Sequence, residues 1–166
     1  MTSKKISVCA LLDSNAANQI ENLQHKLHRI KPSGHITIAT YESIDPGLVL
    51  KYTEAFCKGQ PKIDITYNGI GIMAGKGAFI YAIPKVTFEL TKLHYDFHQK
   101  YDDKATGYTS LNPNTWNPHT SLCPYSMSKM KKCVRNFESI AGNIIGMKVV
   151  DVNDRWNVIG EFEFEG

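Results

Sequence analysis

The sequence lacks the features that would place it in a special class of protein. No segment approaches the roughly 18 consecutive apolar residues of a membrane-spanning helix, so no association with a membrane is expected. The four cysteines are scattered and contain no C-x-x-C pair, which fits reduced thiols better than a disulfide scaffold or a zinc knuckle. A net charge of +3 is too small to indicate a nucleic-acid-binding protein by itself.

The rest of the composition is that of one ordinary globular domain. With 166 residues, 42% of them apolar and 21% charged, the chain can bury a core of its own, and no linker divides it. The first apolar run ends at Asp13, Ser14 and Asn15, before a secretory core of typical length is reached. We therefore expect a single domain over residues 1–166, in a cytoplasmic monomer without an obligate protein partner.

Apolar periodicity predicts alternating strands and helices. Strands are expected at 6–12, 35–41, 63–73, 78–83, 119–125, 144–152 and 156–164. Helices are expected from Asp13 or Ser14 through Ile30, from Pro46 to near Gly59, over 86–101, and from Ser126 or Ser128 through Ile140, with Gly142 ending the last. These elements predict an α+β fold with mainly antiparallel sheets flanked by helices.

One short phrase occurs twice in the chain. HITIATY at 35–41 and HTSLCPY at 119–125 both give His, any residue, Thr or Ser, an apolar residue, two further residues and Tyr. The predicted elements after each copy follow the same order of helix and then hairpin, which indicates a weak internal duplication. Two similar lobes facing each other across a central groove are the simplest assembly of such a duplication.

The phrase has a chemical meaning if each copy is a strand. Side chains alternate between the faces of a strand, so His35 and Thr37 share one face, and His119 and Ser121 share another. An imidazole and a hydroxyl separated by roughly 6.6 Å of backbone can close around one phosphate group. Two facing pairs would place an imidazole on each side of phosphorus, one to remove a proton and one to donate it, and this chemistry needs no metal.

The motifs His35-Ile36-Thr37-Ile38 and His119-Thr120-Ser121-Leu122 resemble those of the two-histidine phosphoesterases, the superfamily of the LigT-like 2′-5′ RNA ligases and RNA cyclic phosphodiesterases. The segment WNPHTSL adds to the resemblance, because Pro directly before the second His is common in such proteins. A basic residue that often follows the second motif is replaced here by Cys123-Pro124-Tyr125-Ser126, which leaves open whether a long RNA is the substrate.

The resemblance implies a bilobal fold with pseudo-twofold symmetry and a metal-independent, cofactor-free hydrolase. Its substrates would carry 2′,3′-cyclic phosphates or 2′-5′ phosphodiester bonds, at RNA ends or in small nucleotides. It also implies that His35 and His119 are catalytic and that Thr37 and Ser121 bind phosphate. We expect His119 to act as the general base toward water and His35 as the general acid toward the 3′ oxygen, although pseudo-symmetry allows the opposite assignment.

Other functions remain open at this point. The same in-line chemistry would suit a nuclease of cyclic oligonucleotide signals. A binding module could hold nucleotides or RNA ends in the groove without turnover. A structural or interaction protein would leave the two His-x-Ser/Thr faces apart or buried.

Several aromatic and histidine residues have both a functional and a structural interpretation. Tyr41 and Tyr125 would either stack on a base or pack at a strand end. Trp116 would either cover a base or anchor the polar connection 102–118, the best candidate for a mobile loop beside a site. His94 and His98 are one helical turn apart, but without a clear third metal ligand we interpret them as solvated.

Basic residues are concentrated in the predicted helix that follows the second motif. Such a cluster is usually a solvated helix face, and its alternative role is to steer a phosphodiester toward the groove. The cluster comprises Lys129, Lys131, Lys132 and Arg135.

Overall fold

A computed structural model of the chain describes residues 4–29, 33–112 and 115–166. Its strands are β1 (Lys5–Leu12), β2 (His35–Glu42), β3 (Ile63–Met73), β4 (Phe79–Pro84), β5 (Thr120–Pro124), β6 (Ile140–Asp151) and β7 (Asn157–Glu163). Its helices are α1 (Ser14–Lys26), α2 (Pro46–Cys57), α3 (Phe88–Phe97) and α4 (Met127–Asn136), with a short 3₁₀ helix at Asp102–Lys104. Among the described helices, none is long and apolar enough to cross a bilayer.

The seven strands form one antiparallel sheet in the order β2-β1-β6-β3-β4-β5, with β7 beside β6. Strand β6 is the centre of the sheet: one edge pairs with β1, and the other pairs first with β3 and then with β7. The predicted α+β class with antiparallel pairing is therefore confirmed. The strands make a single continuous sheet, and the division into two lobes and the single-domain boundary stay predictions.

Helix starts follow the capping residues of the sequence. The side chains of Asp13, Asp45, Thr87 and Ser126 accept backbone N–H groups at the starts of α1, α2, α3 and α4, and Pro46 occupies the first turn of α2. Helix α1 buries Ile20 and Leu23 against the sheet. All four cysteines are free and buried, in agreement with the predicted thiols.

The last helix ends earlier than predicted. Helix α4 stops at Asn136, and Ile140 instead begins β6, where it pairs with Tyr67 of β3. Gly142 is not a helix stop; a Cβ at this position would lie 2.6 Å from Asp13 Oδ1, so glycine allows α1 to approach β6. Strand pairing outweighs the local helical spacing here. The first helix also ends early, at Lys26, and Ile30 lies outside the described residues.

The two motif strands lie at opposite ends of the sheet order, yet they meet. The Thr120 hydroxyl at the start of β5 donates to the His35 carbonyl at the start of β2 over 2.8 Å. The hydroxyl of Tyr67 lies 2.7 Å from the same Thr120 oxygen, and because the Thr120 hydrogen is already used, Tyr67 is the donor. Thr120 and Tyr67 are fully buried, so the sheet curls until its ends are joined by a buried hydrogen-bond relay.

We predict that Thr120→Val destabilises the protein by about 1–3 kcal/mol, because valine leaves the Tyr67 hydroxyl and the His35 carbonyl without their partner. Urea denaturation of the variant and the parent protein measures the difference. The double variant Tyr67→Phe/Thr120→Val should recover part of the loss, since it removes one of the two orphaned groups. A change below about 0.5 kcal/mol for Thr120→Val would contradict the relay.

Candidate active site

The meeting of the motif strands creates a cleft of about 540 Å³. All four residues of the predicted histidine and hydroxyl pairs line it: His35, Thr37, His119 and Ser121. Six residues that the sequence did not assign to a site complete the lining: Arg29, Ser33, Phe79, Tyr108, Arg155 and Trp156. The structure therefore brings together two motifs that are 84 positions apart in the sequence.

The faces of the motif strands are those that strand alternation predicts. On β2, Ile36 and Ile38 are fully buried, whereas His35 and Thr37 are partly exposed on the cleft side. On β5, the buried residues Thr120 and Leu122 flank the cleft-lining residue Ser121. Thr120 occupies a core position despite its hydroxyl because Tyr67 and the His35 carbonyl satisfy that group.

A backbone contact orients the second histidine. His119 precedes β5, and its Nδ1 lies 2.7 Å from the carbonyl oxygen of Asn117. A carbonyl only accepts, so Nδ1 carries a hydrogen, and in the neutral ring Nε2 is the nitrogen with the free lone pair. The ring also contacts Phe79 and Tyr81 of β4, with centroids 5.5 and 5.3 Å away. His119 thus has a fixed tautomer in the neutral state.

The first histidine is in an environment that disfavours its charged form. Burial, followed by the positive charges of Lys148 and Arg29 and the ring of His119, lowers the pKa of His35 to about 3. The effect of His119 on the pKa of His35 shows that the two rings lie near each other. At neutral pH, His35 is therefore uncharged.

Lys148 lies in the middle of the sheet, near enough to His35 for its charge to lower the pKa of that histidine. It pairs with Cys9 of β1, which in turn pairs with Thr37 of β2, so the three residues form one row across the sheet. Strand alternation puts members of such a row on the same face. Lys148 is not among the predicted site residues. The feature of the sequence that could have indicated a role is its position as the single charged residue in the apolar run from Ile144 to Val150.

Arg29 supplies a second cation at the mouth of the cleft. It follows α1, and its guanidinium donates to the main-chain carbonyl of Ser121. The side-chain amide of Gln24 donates to the same carbonyl over 2.7 Å. These contacts attach the end of α1 to β5 and hold a positive charge beside Ser121.

Aromatic side chains line both ends of the cleft. Trp156 lies against His35 with ring centroids 5.4 Å apart, opposite the Phe79 that contacts His119. Tyr81 also contacts His119. Its ring lies against Gly71, its partner on β3, and a Cβ on Gly71 would lie 2.6 Å from the ring, so glycine leaves the space that Tyr81 needs. Aromatic rings in a cleft with cations suit a ligand that has both a flat apolar part and a negative charge.

The tip of the β6–β7 hairpin has a strained backbone. Arg155 and Trp156 are consecutive non-glycine residues with positive φ angles of 52° and 62°. This conformation places both side chains in the lining of the cleft. Neither residue is among the predicted site residues. The feature of the sequence that could have indicated them is a tryptophan at the turn between the last two predicted strands.

Tyr41 does not have the position that base stacking requires. Its side chain is fully buried in the core, so neither face of its ring is open to a ligand. The stacking prediction for Tyr41 is wrong because the end of β2 is covered by the loop after α3, where Ala105 bridges to Tyr41. Tyr125 is half-exposed but does not belong to the cleft lining; its backbone N–H donates to Ala78.

Trp116 acts as an anchor for the connection that precedes the second motif. Its ring stacks on His94 with centroids 3.9 Å apart and an interplanar angle of 4°, and its indole N–H donates to the Thr37 carbonyl over 2.9 Å. Of its two predicted roles, the structure favours the anchoring one, since Trp116 is absent from the described cleft lining. The anchor fixes the backbone of Thr37.

The two histidines of α3 are buried, and their interpretation as solvated side chains is wrong. His94 Nε2 lies 2.7 Å from the Thr109 carbonyl, and His98 lies between the Asp102 carboxylate at 2.7 Å and the Ile38 carbonyl at 3.0 Å. Burial lowers the pKa of His94 to about 4. Local spacing cannot reveal this environment, because the partners come from β2 and from the loop after α3. The histidines tie that loop to β2.

Solved structures share this fold over nearly the whole chain. Apo LigT from E. coli matches with a TM-score of 0.68 at 11% identity, covering 100% of both chains. The protein TT0787 of Thermus thermophilus matches with a TM-score of 0.67 at 12% identity over 98% of both chains. A protein described as a phosphoesterase matches with a TM-score of 0.68 at 11% identity over 99% of both chains.

Sequence comparison adds no further relative. No protein-family model matches the chain, and no curated protein matches it. Identities of 11% and 12% establish a shared fold without assigning roles to residues. At the level of fold, the resemblance that the paired motifs predicted is confirmed: the chain has the fold of LigT.

Proposed function

We propose that the protein is a metal-independent phosphodiesterase that hydrolyses 2′,3′-cyclic phosphates or 2′-5′ phosphodiester bonds, at RNA ends or in small nucleotides. The observation that carries this proposal is that His35, Thr37, His119 and Ser121 line one cleft. Two imidazoles provide the two proton transfers of an in-line displacement, and two hydroxyls provide donors to the phosphate oxygens.

The cations of the cleft support an anionic substrate. Lys148 and Arg29 lie close enough to His35 to lower its pKa, and their positive charge would attract a phosphodiester and stabilise the charge that develops on its oxygens. Thr37 and Ser121 then donate hydrogen bonds to the non-bridging oxygens. The aromatic rings of Phe79 and Trp156 offer apolar surface to a base.

The environments of the two histidines support a division of roles opposite to the one expected from the sequence. His35 is held neutral by burial and by neighbouring cations, so it can accept a proton from water at neutral pH. The Asn117 carbonyl holds a hydrogen on Nδ1 of His119, so Nε2 is the nitrogen through which this ring exchanges a proton with the substrate. We therefore assign His35 as the general base and His119 as the general acid.

The resulting step is balanced. A water oxygen attacks phosphorus while His35 takes its proton, and the bond from phosphorus to the 3′ oxygen breaks as His119 donates a proton to that oxygen. A 2′,3′-cyclic phosphate thus becomes a 2′-phosphate, and a later exchange of protons with solvent restores both rings.

Ligands of a protein with the same fold agree with this substrate class. E. coli LigT has been crystallised with 3′-AMP and with phosphate, and these structures match the present chain with TM-scores of 0.65 and 0.64 at 10% identity. Like the 2′-phosphate expected from the chemistry proposed here, 3′-AMP is a nucleoside with one phosphate on its ribose. This agreement supports a nucleotide substrate.

We predict that His35→Ala and His119→Ala each reduce kcat for nucleoside 2′,3′-cyclic phosphates at least about 100-fold, because each removes one proton transfer. Chromatography of the products measures turnover, and EDTA should not affect the parent protein. His25→Ala, on the exposed side of α1, is the matched control and should retain full activity. Binding of nucleotides without turnover by the parent protein would instead identify a binding module.

The assignment of acid and base is tested with a substrate that has a good leaving group. The anion of p-nitrophenol leaves without protonation, so loss of the general acid should matter little on bis-p-nitrophenyl phosphate. We expect His119→Ala to retain at least about ten times more activity than His35→Ala on this diester. The reverse order would exchange the two roles.

We predict that Lys148→Met raises the pKa of His35 above its value of about 3, because the variant loses a cation that opposes protonation. NMR titration of the imidazole signals measures the shift in the free protein. Since the base acts only when neutral, the acid limb of kcat/KM should move to higher pH in the variant. Lys51→Met, on the exposed side of α2, is the control, and an unchanged His35 titration in Lys148→Met would contradict the electrostatic model of the cleft.

A further inference from the structure

A second cavity adjoins the catalytic cleft and is not used by the proposed chemistry. It has a volume of about 530 Å³, and its wall includes Arg29, Phe79 and Ser121, which also line the catalytic cleft. The remaining lining residues are His28, Cys123, Pro124 and Lys129. Because the two cavities share three residues, a molecule longer than one nucleotide can occupy both.

The second cavity is basic. Its described lining has the cations Arg29 and Lys129 and no acidic side chain. Lys132 of α4 adds a further positive charge at the rim, where its Nζ lies 3.4 Å from His28 Nε2. His28 is positioned by a left-handed backbone conformation directly after α1, with φ of 59°. The segment after α1 and helix α4 therefore both contribute positive groups to the cavity.

The cavity also has apolar surface. Phe79 forms the boundary between the two cavities, and Pro124 lies beside it on the neighbouring strand. A nucleotide has a phosphate for the basic rim and a flat base for the apolar wall. An inorganic anion alone would leave the apolar wall uncovered.

We propose that the second cavity binds the nucleotide next to the reacting phosphate, with its phosphodiester between Lys129, Lys132 and His28. This proposal rests on the proposed function and narrows its substrate: the protein acts on dinucleotides or longer oligonucleotides in preference to mononucleotides. The shared residues Arg29 and Phe79 separate the two nucleotides. The charge of the second cavity selects for the additional phosphate.

Helix α4 provides a matched control within the same basic cluster. At about 100° per residue, Lys129 lies about 40° from the buried residue Cys133, and Lys132 lies about 60° further round the helix, on the side that reaches His28. Lys131 and Arg135 lie on the opposite side and are exposed. The double variants Lys129→Met/Lys132→Met and Lys131→Met/Arg135→Met remove the same net charge from different faces of one helix.

The experiment compares two nucleotide ligands with a terminal ribose phosphate by isothermal titration calorimetry. One ligand is 3′-AMP, with a single phosphate, and the other is the dinucleotide ApAp, with an additional phosphodiester and base. We expect the parent protein to bind ApAp about tenfold more tightly than 3′-AMP. Lys129→Met/Lys132→Met should lose most of this advantage, whereas Lys131→Met/Arg135→Met should change either affinity less than about twofold. Thermal melting confirms that both variants remain folded.

The possible results separate this inference from the proposed function. Equal affinities for the two ligands in the parent protein, or equal losses from both double variants, would overturn the second nucleotide site. Preferential binding of ApAp without hydrolysis of any cyclic phosphate would uphold the site and overturn the enzymatic function. Failure of both ligands to bind would overturn the second nucleotide site, whereas turnover of cyclic phosphates separately decides the proposed function.

Discussion

The arrangement of the candidate site depends on one buried hydroxyl group. Thr120 accepts a hydrogen bond from Tyr67 and donates one to the His35 carbonyl, and it thereby joins strands from the two ends of the sheet. In the described part of the chain, β2 and β5 share no ladder of their own, because their ladder partners are β1 and β4. Thr120 lies in the sequence between the catalytic candidate His119 and the phosphate-binding candidate Ser121. Its buried side chain faces away from the cleft and has a structural role.

The electrostatic character of the cleft follows from the same curvature. The curled sheet directs Lys148 from its centre toward the site, while the chain after α1 brings Arg29 to the opposite strand. These cations favour an anionic ligand and at the same time disfavour a protonated His35. The cleft therefore combines an environment that attracts an anion with a neutral imidazole. A general base must be neutral before it takes a proton from water.

The backbone around the cleft is held in two different ways. Buried contacts fix the backbone of the motif strands: Trp116 stacks on His94 and donates to Thr37, and His98 donates to Ile38. The tip of the β6–β7 hairpin is different, because Arg155 and Trp156 adopt a conformation that costs free energy in non-glycine residues. Conformational strain at a ligand-binding surface is typical of positions whose side chains are aimed at a ligand.

The sequence by itself determined the faces of the two motif strands, the caps of the helices and the class of the fold. These features depend on period-two alternation and on contacts within one turn of the chain, which are local. Only the tertiary structure decided that Tyr41 is buried, that His94 and His98 are buried, that Arg29 lines the cleft and that Lys148 lies near His35. Their environments are made by residues far away in the sequence. The end strands of the curved sheet are joined at Thr120, and no single segment of the sequence predicts such a long-range contact.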